Sequence, residues 1–326
     1  MPIAVIAFDF DPYLHFGDRA ITWQTLALAG AIFALIALAA LVAGRTPSSD
    51  GDSAEAAAHL RRDDLLFIAL GVVPGAIIGG RIGYVLIHSD YYRAHPAAII
   101  DPGQGSLQLS VALVVGALTG AYVAQMLEGP VGRWLHVAVV PVLVGLTLGK
   151  ISMALGGSGQ GAPWEGQPAT AYLGPGPWGS IDPATPAYPS QLIEAGLTLV
   201  VLVVTSLLLW SGRFRSRDGR AFLVAVALWA VARFAVAFTW RDPVVLGPLG
   251  ADQLISLAIL AGCIVLFARR SRRPGHVDVV VAEAEEVVAE TEDRSGLDWP
   301  ELSDRRYLRP RAGVSREDAP RPPTGP

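Results

Sequence analysis

The residues that could do chemistry in this 326-residue chain are charged side chains lying inside otherwise apolar stretches. A charge in such a stretch is costly to bury, so it indicates a functional site or an internal ion pair. The cations are Arg81, Lys150 and Arg233, and the acids are Glu194 and Asp252. The cations outnumber the acids, and this excess suits an anionic lipid headgroup or a phosphate. The open alternative is that each cation reaches the membrane interface or pairs internally to fix helix packing.

The stretches that carry these residues are long enough to cross a bilayer. The sequence is 52% hydrophobic and 17% charged, and most charges lie in short clusters or near the C-terminus. Apolar runs of this length predict transmembrane helices. We therefore predict an all-α membrane protein with seven transmembrane helices, at 20–43, 64–87, 107–127, 134–155, 189–210, 221–240 and 248–268.

The charged residues of these spans all lie in the outer half of the predicted bilayer. Three amides, Gln24, Gln191 and Gln253, lie at a similar depth. Gln191 and Glu194 are three residues apart and therefore share a helix face. If the helices form a bundle, these groups line one cavity, and few polar groups continue into the inner half. A transporter or channel, which needs such a continuation, is disfavoured.

The arginines between the spans predict the orientation. Twelve arginines fall in the segments on one side of the predicted membrane, and three, Arg19, Arg93 and Arg241, fall on the other. Because the basic side faces the cytoplasm, the N-terminus is predicted to lie outside and the C-terminus inside.

The predicted transmembrane domain covers 20–268 and includes the loop 156–188, and the segments 1–19 and 269–326 flank it. Residues 1–19 form an outer N-terminal segment, and 156–188 form an outer loop rich in Gly, Pro, Trp and Tyr. Residues 269–326 combine an acidic stretch with a Pro/Arg-rich end, which predicts a mostly disordered cytoplasmic tail. The only cysteine is Cys263, so no intramolecular disulfide can form. We expect no metal, no cofactor and no nucleic-acid partner.

Several short motifs, in one order along the chain, carry a family resemblance. They are Gly79-Gly80-Arg81-Ile82-Gly83-Tyr84-Val85, Asp90-Tyr91-Tyr92, Pro189-Ser190-Gln191-Leu192 with Glu194, Arg233-Phe234, Arg241-Asp242-Pro243 and Gln253-Leu254-Ile255-Ser256. Together they resemble prolipoprotein diacylglyceryl transferase, a seven-span bacterial membrane enzyme. The resemblance covers roughly residues 14–268 and agrees with the predicted topology.

The resemblance implies a reaction and a location. The family moves the diacylglyceryl group of phosphatidylglycerol to the lipobox cysteine thiol of a prolipoprotein signal peptide and releases glycerol phosphate. Such a reaction needs a cationic clamp for the leaving phosphate, a base for the thiol, and a lateral opening. The implied partners are phosphatidylglycerol or another anionic phospholipid, the prolipoprotein and the membrane. The implied location is the bacterial plasma membrane.

This chain departs from the family pattern at positions that carry acid–base chemistry. Ser110 stands where the family has a histidine, Lys150 where it has an arginine, and Ser158 where it has an acidic residue. Gln24 stands in place of a tyrosine, and Ala237 in place of a glutamate. His88 or His95, at the mouth of the second span, could supply a replacement base. The alternative is that both are ordinary histidines at the membrane interface.

The predicted site follows from the motifs and the depth of the charges together. Arg81, Lys150 and Arg233 are predicted to hold the lipid phosphate, and the catalytic candidates are Arg233, Glu194 and His88. The predicted pocket residues are Gln24, Tyr84, Ser110, Gln191, Glu194 and Gln253. The alternative function is an inactive relative that binds anionic lipid or lipoprotein precursors.

Overall fold

The computed structural model describes residues 5–48, 60–101 and 106–271, which belong to one compact unit ending at Ser271. Its helices are α1 (Trp23–Ala43), α2 (Arg62–Ile87), α3 (Ser89–Ala94), α4 (Leu109–Met126), α5 (Val131–Gly156), α6 (Ser190–Trp210), α7 (Arg220–Val236) and α8 (Ala251–Ser271). All except α3 are long and apolar enough to cross a membrane. This confirms the prediction of seven spans, with helix ends within a few residues of those expected.

The connecting segments contain short strands that the all-α prediction left out. They are β1 (Val5–Phe8), β2 (Tyr13–Phe16), β3 (Arg19–Thr22), β4 (Ala169–Tyr172), β5 (Val244–Leu246) and β6 (Leu249–Gly250). Strands β2 with β3 and β5 with β6 form antiparallel pairs, whereas β1 pairs in parallel with β4. Strands of two to four residues are too short to show a hydrophobic period.

The long helices pack as two pairs beside a group of three. Helix α1 lies on α5, α2 lies on α4, and α6, α7 and α8 form the rest of the bundle, with α6 and α7 against α5. Gly79 allows α2 to approach α4, since a Cβ there would stand 2.4 Å from Cβ of Val115. A core that includes Leu143, Phe222 and Trp229 joins α5, α6, α7 and α8.

Alternation of the helices places residues 5–22, 88–101, 106–108, 157–189 and 237–250 at the same end of the bundle, here named the site end. Parallel pairing of β1 with β4 joins the N-terminal segment to the long loop between α5 and α6. Tyr172 of β4 is buried there and stacks on Phe8, with ring centroids 4.9 Å apart. Burial raises the pKa of Tyr172 to about 12.

The predicted C-terminal tail begins inside α8, which continues to Ser271. The rest of the tail, 272–326, lies outside the described residues. Its predicted disorder stays a prediction, and so do the boundaries assigned to the N-terminal segment and the transmembrane domain.

Candidate functional site

Arg233 lies at the centre of a buried polar cluster near the site end of the bundle. Its guanidinium donates from Nη1 to Oε1 of Glu194 at 2.6 Å and from Nη2 to Oδ2 of Asp252 at 2.7 Å. Its Nε donates to the Ser110 hydroxyl at 3.0 Å. The side chains come from α7, α6, α8 and α4, so one arginine links four helices. Removing one partner of such a pair would leave an uncompensated buried charge, at a cost of about 3–5 kcal/mol.

Lys150 joins this cluster from α5. Its Nζ lies 2.9 Å from Oε2 of Glu194, and both side chains are almost completely buried. The ammonium also lies 5.1 Å from the centroid of the Trp240 ring, within the range of a cation–π contact. Glu194 therefore holds Lys150 and Arg233 next to each other.

Gln108 connects the start of α4 to the same cluster. Its side-chain oxygen caps α4 by accepting from the Val111 N–H at 2.6 Å, and its amide nitrogen donates to Oδ1 of Asp252. Capping residues satisfy the free N–H groups of a first turn. The same side chain thus fixes the position of α4 and the position of the Asp252 carboxylate.

A cavity of about 760 Å³ opens beside the cluster, and we call it the polar cavity. Its volume lies in the range of small-molecule sites. Lys150, Arg233 and Asp252 line it from the cluster side. Its other polar lining residues are Gln24, Tyr84, His88, Ser106, Gln108, Ser152, Ser158, Trp240 and Asp242.

The charge around the polar cavity differs from the cationic excess expected from the sequence. The two cations Lys150 and Arg233 pair with the carboxylates of Glu194 and Asp252, and a third carboxylate, Asp242, lines the cavity. Asp242 was not counted because it lies outside the predicted spans, in the segment after α7. Burial, followed by the nearby Asp252 carboxylate, raises the pKa of Asp242, and this shift favours its neutral form.

The structure does not bring Arg81 to the other two cations. Its Nε donates to the Ile99 carbonyl at 2.7 Å, and its Nη2 donates to the Asp101 carbonyl at 3.0 Å. Its guanidinium also lies 5.4 Å from the Tyr92 ring centroid. Arg81 thus ties α2 to the segment that follows α3. Lys150 and Arg233 line the polar cavity and Arg81 does not, because depth in a span does not say which way a side chain turns.

The other predicted residues divide between the cavity and its support. Gln24, Tyr84 and His88 line the polar cavity directly. Gln191 is buried, does not line the polar cavity, and donates to the Tyr172 hydroxyl at 2.7 Å. Gln253 accepts from the Gly250 N–H at 2.6 Å and lines a smaller cavity of about 120 Å³.

The positions that depart from the family pattern contact one another or the retained residues. Gln24 accepts a hydrogen bond from Ser158 at 2.8 Å, so two departing positions form one pair. Ser110 accepts from Arg233, and Lys150 pairs with Glu194. Gln24, Lys150 and Ser158 line the polar cavity, and Ser110 contacts Arg233, which also lines it.

Sequence reasoning missed Gln108, Trp240 and Asp242. Asp242 belongs to the motif Arg241-Asp242-Pro243, and Trp240 directly precedes that motif. A signal for Gln108 was its position two residues before Ser110, at the start of a span. A side-chain oxygen at a helix N-terminus can accept a hydrogen bond from a free backbone N–H of the first turn.

A second cavity of about 510 Å³, here named the apolar cavity, lies between the pair α1 and α5 and the pair α2 and α4. Its lining is almost wholly apolar and reaches Trp134 and Val131 at the far end of α5. Leu28, Leu109, Gly145 and Leu146 line both cavities. The polar cavity and the apolar cavity are therefore adjacent along these four residues.

Comparison with known proteins agrees with the resemblance seen in the motifs. The family model described as prolipoprotein diacylglyceryl transferase matches residues 12–269. A protein of Nitrobacter hamburgensis named phosphatidylglycerol–prolipoprotein diacylglyceryl transferase is 32% identical, over 81% of this chain and 90% of its own. Proteins of the same name from Rhodopseudomonas palustris and Geobacter sulfurreducens are each 29% identical, over 83% and 66% of this chain and 95% and 81% of their own. The chain belongs to the prolipoprotein diacylglyceryl transferase family.

Proposed function

We propose that this chain moves the diacylglyceryl group of phosphatidylglycerol to the lipobox cysteine thiol of a prolipoprotein. The observation that carries the proposal is the adjacency of the two cavities in a member of this family. The polar cavity offers Lys150 and Arg233 to a phosphate, and the apolar cavity offers a dry space to an acyl chain. A phospholipid needs both kinds of surface.

Lys150 and Arg233 are proposed to stabilise the phosphate that leaves. In the reaction the thiol sulfur forms a bond to the glyceryl carbon, the carbon–oxygen bond to phosphate breaks, and the thiol loses its proton. Negative charge then grows on the departing phosphate oxygen, where fixed donors act most strongly. Arg233 uses three of its five N–H groups on Glu194, Asp252 and Ser110, and an arginine in this arrangement keeps donors for an anion.

Glu194 is proposed to hold the two cations in place, not to transfer a proton itself. Its side chain is 1% exposed, and each of its oxygens faces one cation. Ser110 and Asp252 hold Arg233 from its other sides. Such support fixes donors before the substrate arrives, which lowers the reorganisation needed during the reaction.

The membrane setting is part of the proposal. We place the protein in the plasma membrane of a bacterium, with the site end outside and the C-terminus in the cytoplasm. The arginine distribution supports this orientation. The acyl chain would enter between α1 and α2, which make few contacts with each other beside the apolar cavity.

The test is transfer by the purified full-length protein. Phosphatidylglycerol and a lipobox peptide are supplied in detergent, and the peptide mass is measured. The expected result is a peptide heavier by one diacylglyceryl group, with release of glycerol phosphate. Phosphatidylethanolamine replaces phosphatidylglycerol in the control. Absence of product, together with retention of phosphatidylglycerol by the protein, would favour the inactive lipid-binding alternative and overturn the proposal.

A further inference from the structure

The thiol needs a base, and the cluster that holds the cations does not offer one. Ser110, at the position of the family's histidine, accepts a hydrogen bond from Arg233. Both oxygens of Glu194 face cations, and both oxygens of Asp252 are bonded, to Gln108 and to Arg233. A carboxylate held by two cations is a weak proton acceptor. The base therefore has to come from another part of the polar cavity.

His88 lines the polar cavity at the site end of α2. Its Nδ1 lies 3.0 Å from the Tyr84 carbonyl oxygen, and its ring stacks on the Tyr84 ring with centroids 4.2 Å apart. A carbonyl oxygen can only accept, so this hydrogen bond requires the proton on Nδ1 and leaves a lone pair on Nε2. Among the described residues, Nε2 has no hydrogen-bond partner. The ring is thus oriented and has one nitrogen available to take up a proton.

The charged and titratable groups around His88 come from several elements. Tyr84 and Arg81 lie on α2 and Tyr92 on α3, while Lys150, Arg233, Asp242 and Asp252 approach from α5, α7, the segment after α7, and α8. Asp242 is close enough for the two side chains to interact electrostatically.

We propose that His88 is the general base for the cysteine thiol, an inference that rests on the proposed function. The thiol proton passes to Nε2 of His88 as the sulfur–carbon bond forms and the carbon–oxygen bond breaks. The electron pair of that bond leaves with the phosphate, which Lys150 and Arg233 receive. The imidazolium then returns its proton to the released glycerol phosphate or to water. An imidazole is closer to a thiol in proton affinity than a carboxylate is, which separates His88 from Asp242.

His95 provides a matched control. Its Nδ1 lies 3.1 Å from the Tyr91 carbonyl, again four residues earlier, and its ring stacks on Tyr91 with centroids 4.7 Å apart. His95 is exposed, however, and does not line the polar cavity. The two histidines share a local arrangement and differ in access to the site.

The experiment compares His88→Asn with His95→Asn in the full-length protein. An asparagine amide can still donate to the carbonyl four residues earlier, but it cannot take a proton. Near pH 7 we expect transfer to fall about 10²–10⁴-fold in His88→Asn and to stay near the wild-type rate in His95→Asn. Retained phosphatidylglycerol, measured by native mass spectrometry, should be equal in all three proteins. His88→Gln serves as a second variant if His88→Asn does not retain lipid.

The pH profile separates a base from a merely structural histidine. A thiol ionises without help near its ordinary pKa of about 8.5, so the deficit of His88→Asn should shrink as the pH rises from 7 toward 9. A deficit that is the same at every pH, or equal rates for the two asparagine variants, would overturn the inference. A wild-type protein that gives no product would instead overturn the proposed function and the inference with it.

Discussion

At the scale of residues, the site depends on buried charges that neutralise one another. Arg233 contacts Glu194, Asp252 and Ser110, and Lys150 contacts Glu194 from the opposite side. Ion pairs in this setting contribute little net stability, but losing one partner is costly. We infer that they are kept because they fix two cations beside the polar cavity.

Arg233→Ala tests this role. Transfer is expected to fall about 10²–10³-fold because an oriented donor to the leaving phosphate is lost. The free energy of unfolding is expected to fall by about 3–5 kcal/mol because the buried Asp252 carboxylate loses its counter-ion. Both effects are measured, by peptide mass and by chemical unfolding in detergent.

A paired variant separates stability from catalysis. Arg233→Ala combined with Asp252→Asn removes the unpaired charge, so stability should recover in part while transfer stays low. Recovery of transfer along with stability would contradict the assignment of Arg233 to the phosphate.

Asp242 is expected to make the stability of the folded protein depend on pH. Its folded-state pKa is raised by burial and by Asp252, so the folded protein binds this proton more tightly than the unfolded chain does. The stabilisation is full at acid pH and is lost as the pH rises above the ordinary aspartate value of about 3.9 and through the folded value. The melting temperature of Asp242→Asn should therefore be higher than that of the wild type at pH 7.5, and the two should be equal at pH 4. An equal gain at both pH values would show that ionisation of Asp242 is not responsible.

At the scale of elements, α4 links the two parts of the proposed lipid site. Its first residue, Leu109, lines both cavities, whereas Ala117 lines only the apolar one. Eight residues of α-helix separate them by about 12 Å. A larger side chain at Ala117 would thus obstruct the apolar cavity at a distance from the headgroup.

Ala117→Leu should make transfer depend on acyl length. With dioleoyl phosphatidylglycerol we expect a loss of about tenfold or more, because an overfilled cavity costs about 1–3 kcal/mol. Dioctanoyl phosphatidylglycerol, whose chains end near the obstruction, should react at the wild-type rate. Transfer rates for the two lipids provide the measurement.

Ala258→Leu is the control for this substitution, since Ala258 is an exposed residue of α8 that does not line the apolar cavity. Its transfer rates with both lipids should equal those of the wild type. Equal losses with short and long chains in Ala117→Leu would contradict the proposed path of the acyl chain.

At the scale of the whole molecule, the question is which end of the seven-helix bundle faces the outside of the membrane. The arginine distribution predicts that the N-terminal segment lies outside. The chain has a single cysteine, Cys263, which is buried in the helix core. Its replacement by alanine gives a background for labelling.

Cysteines introduced singly as Asp18→Cys and Arg215→Cys test the orientation. In intact cells an impermeant thiol reagent should label the first variant and not the second, because the two positions lie at opposite ends of the bundle. Both should react after the membrane is opened. Labelling of Arg215→Cys alone in intact cells would reverse the assignment.

The sequence by itself determined the spans and the family. Apolar runs near bilayer length leave few alternatives to helices, since backbone groups must be satisfied within the membrane. Short motifs such as Gly79-Gly80-Arg81 and Arg233-Phe234 kept their order along the chain, and the matching family model agrees with them.

Only the tertiary structure decided which polar groups meet. Arg81 and Arg233 have similar depth in their helices, yet Arg81 binds carbonyls after α3 while Arg233 binds Glu194 and Asp252. Trp240 and Asp242 reach the polar cavity from the segment that follows α7. Depth follows from position along a helix, whereas contact depends on helix rotation and loop path. Packing between distant segments sets both, so local sequence does not reveal them.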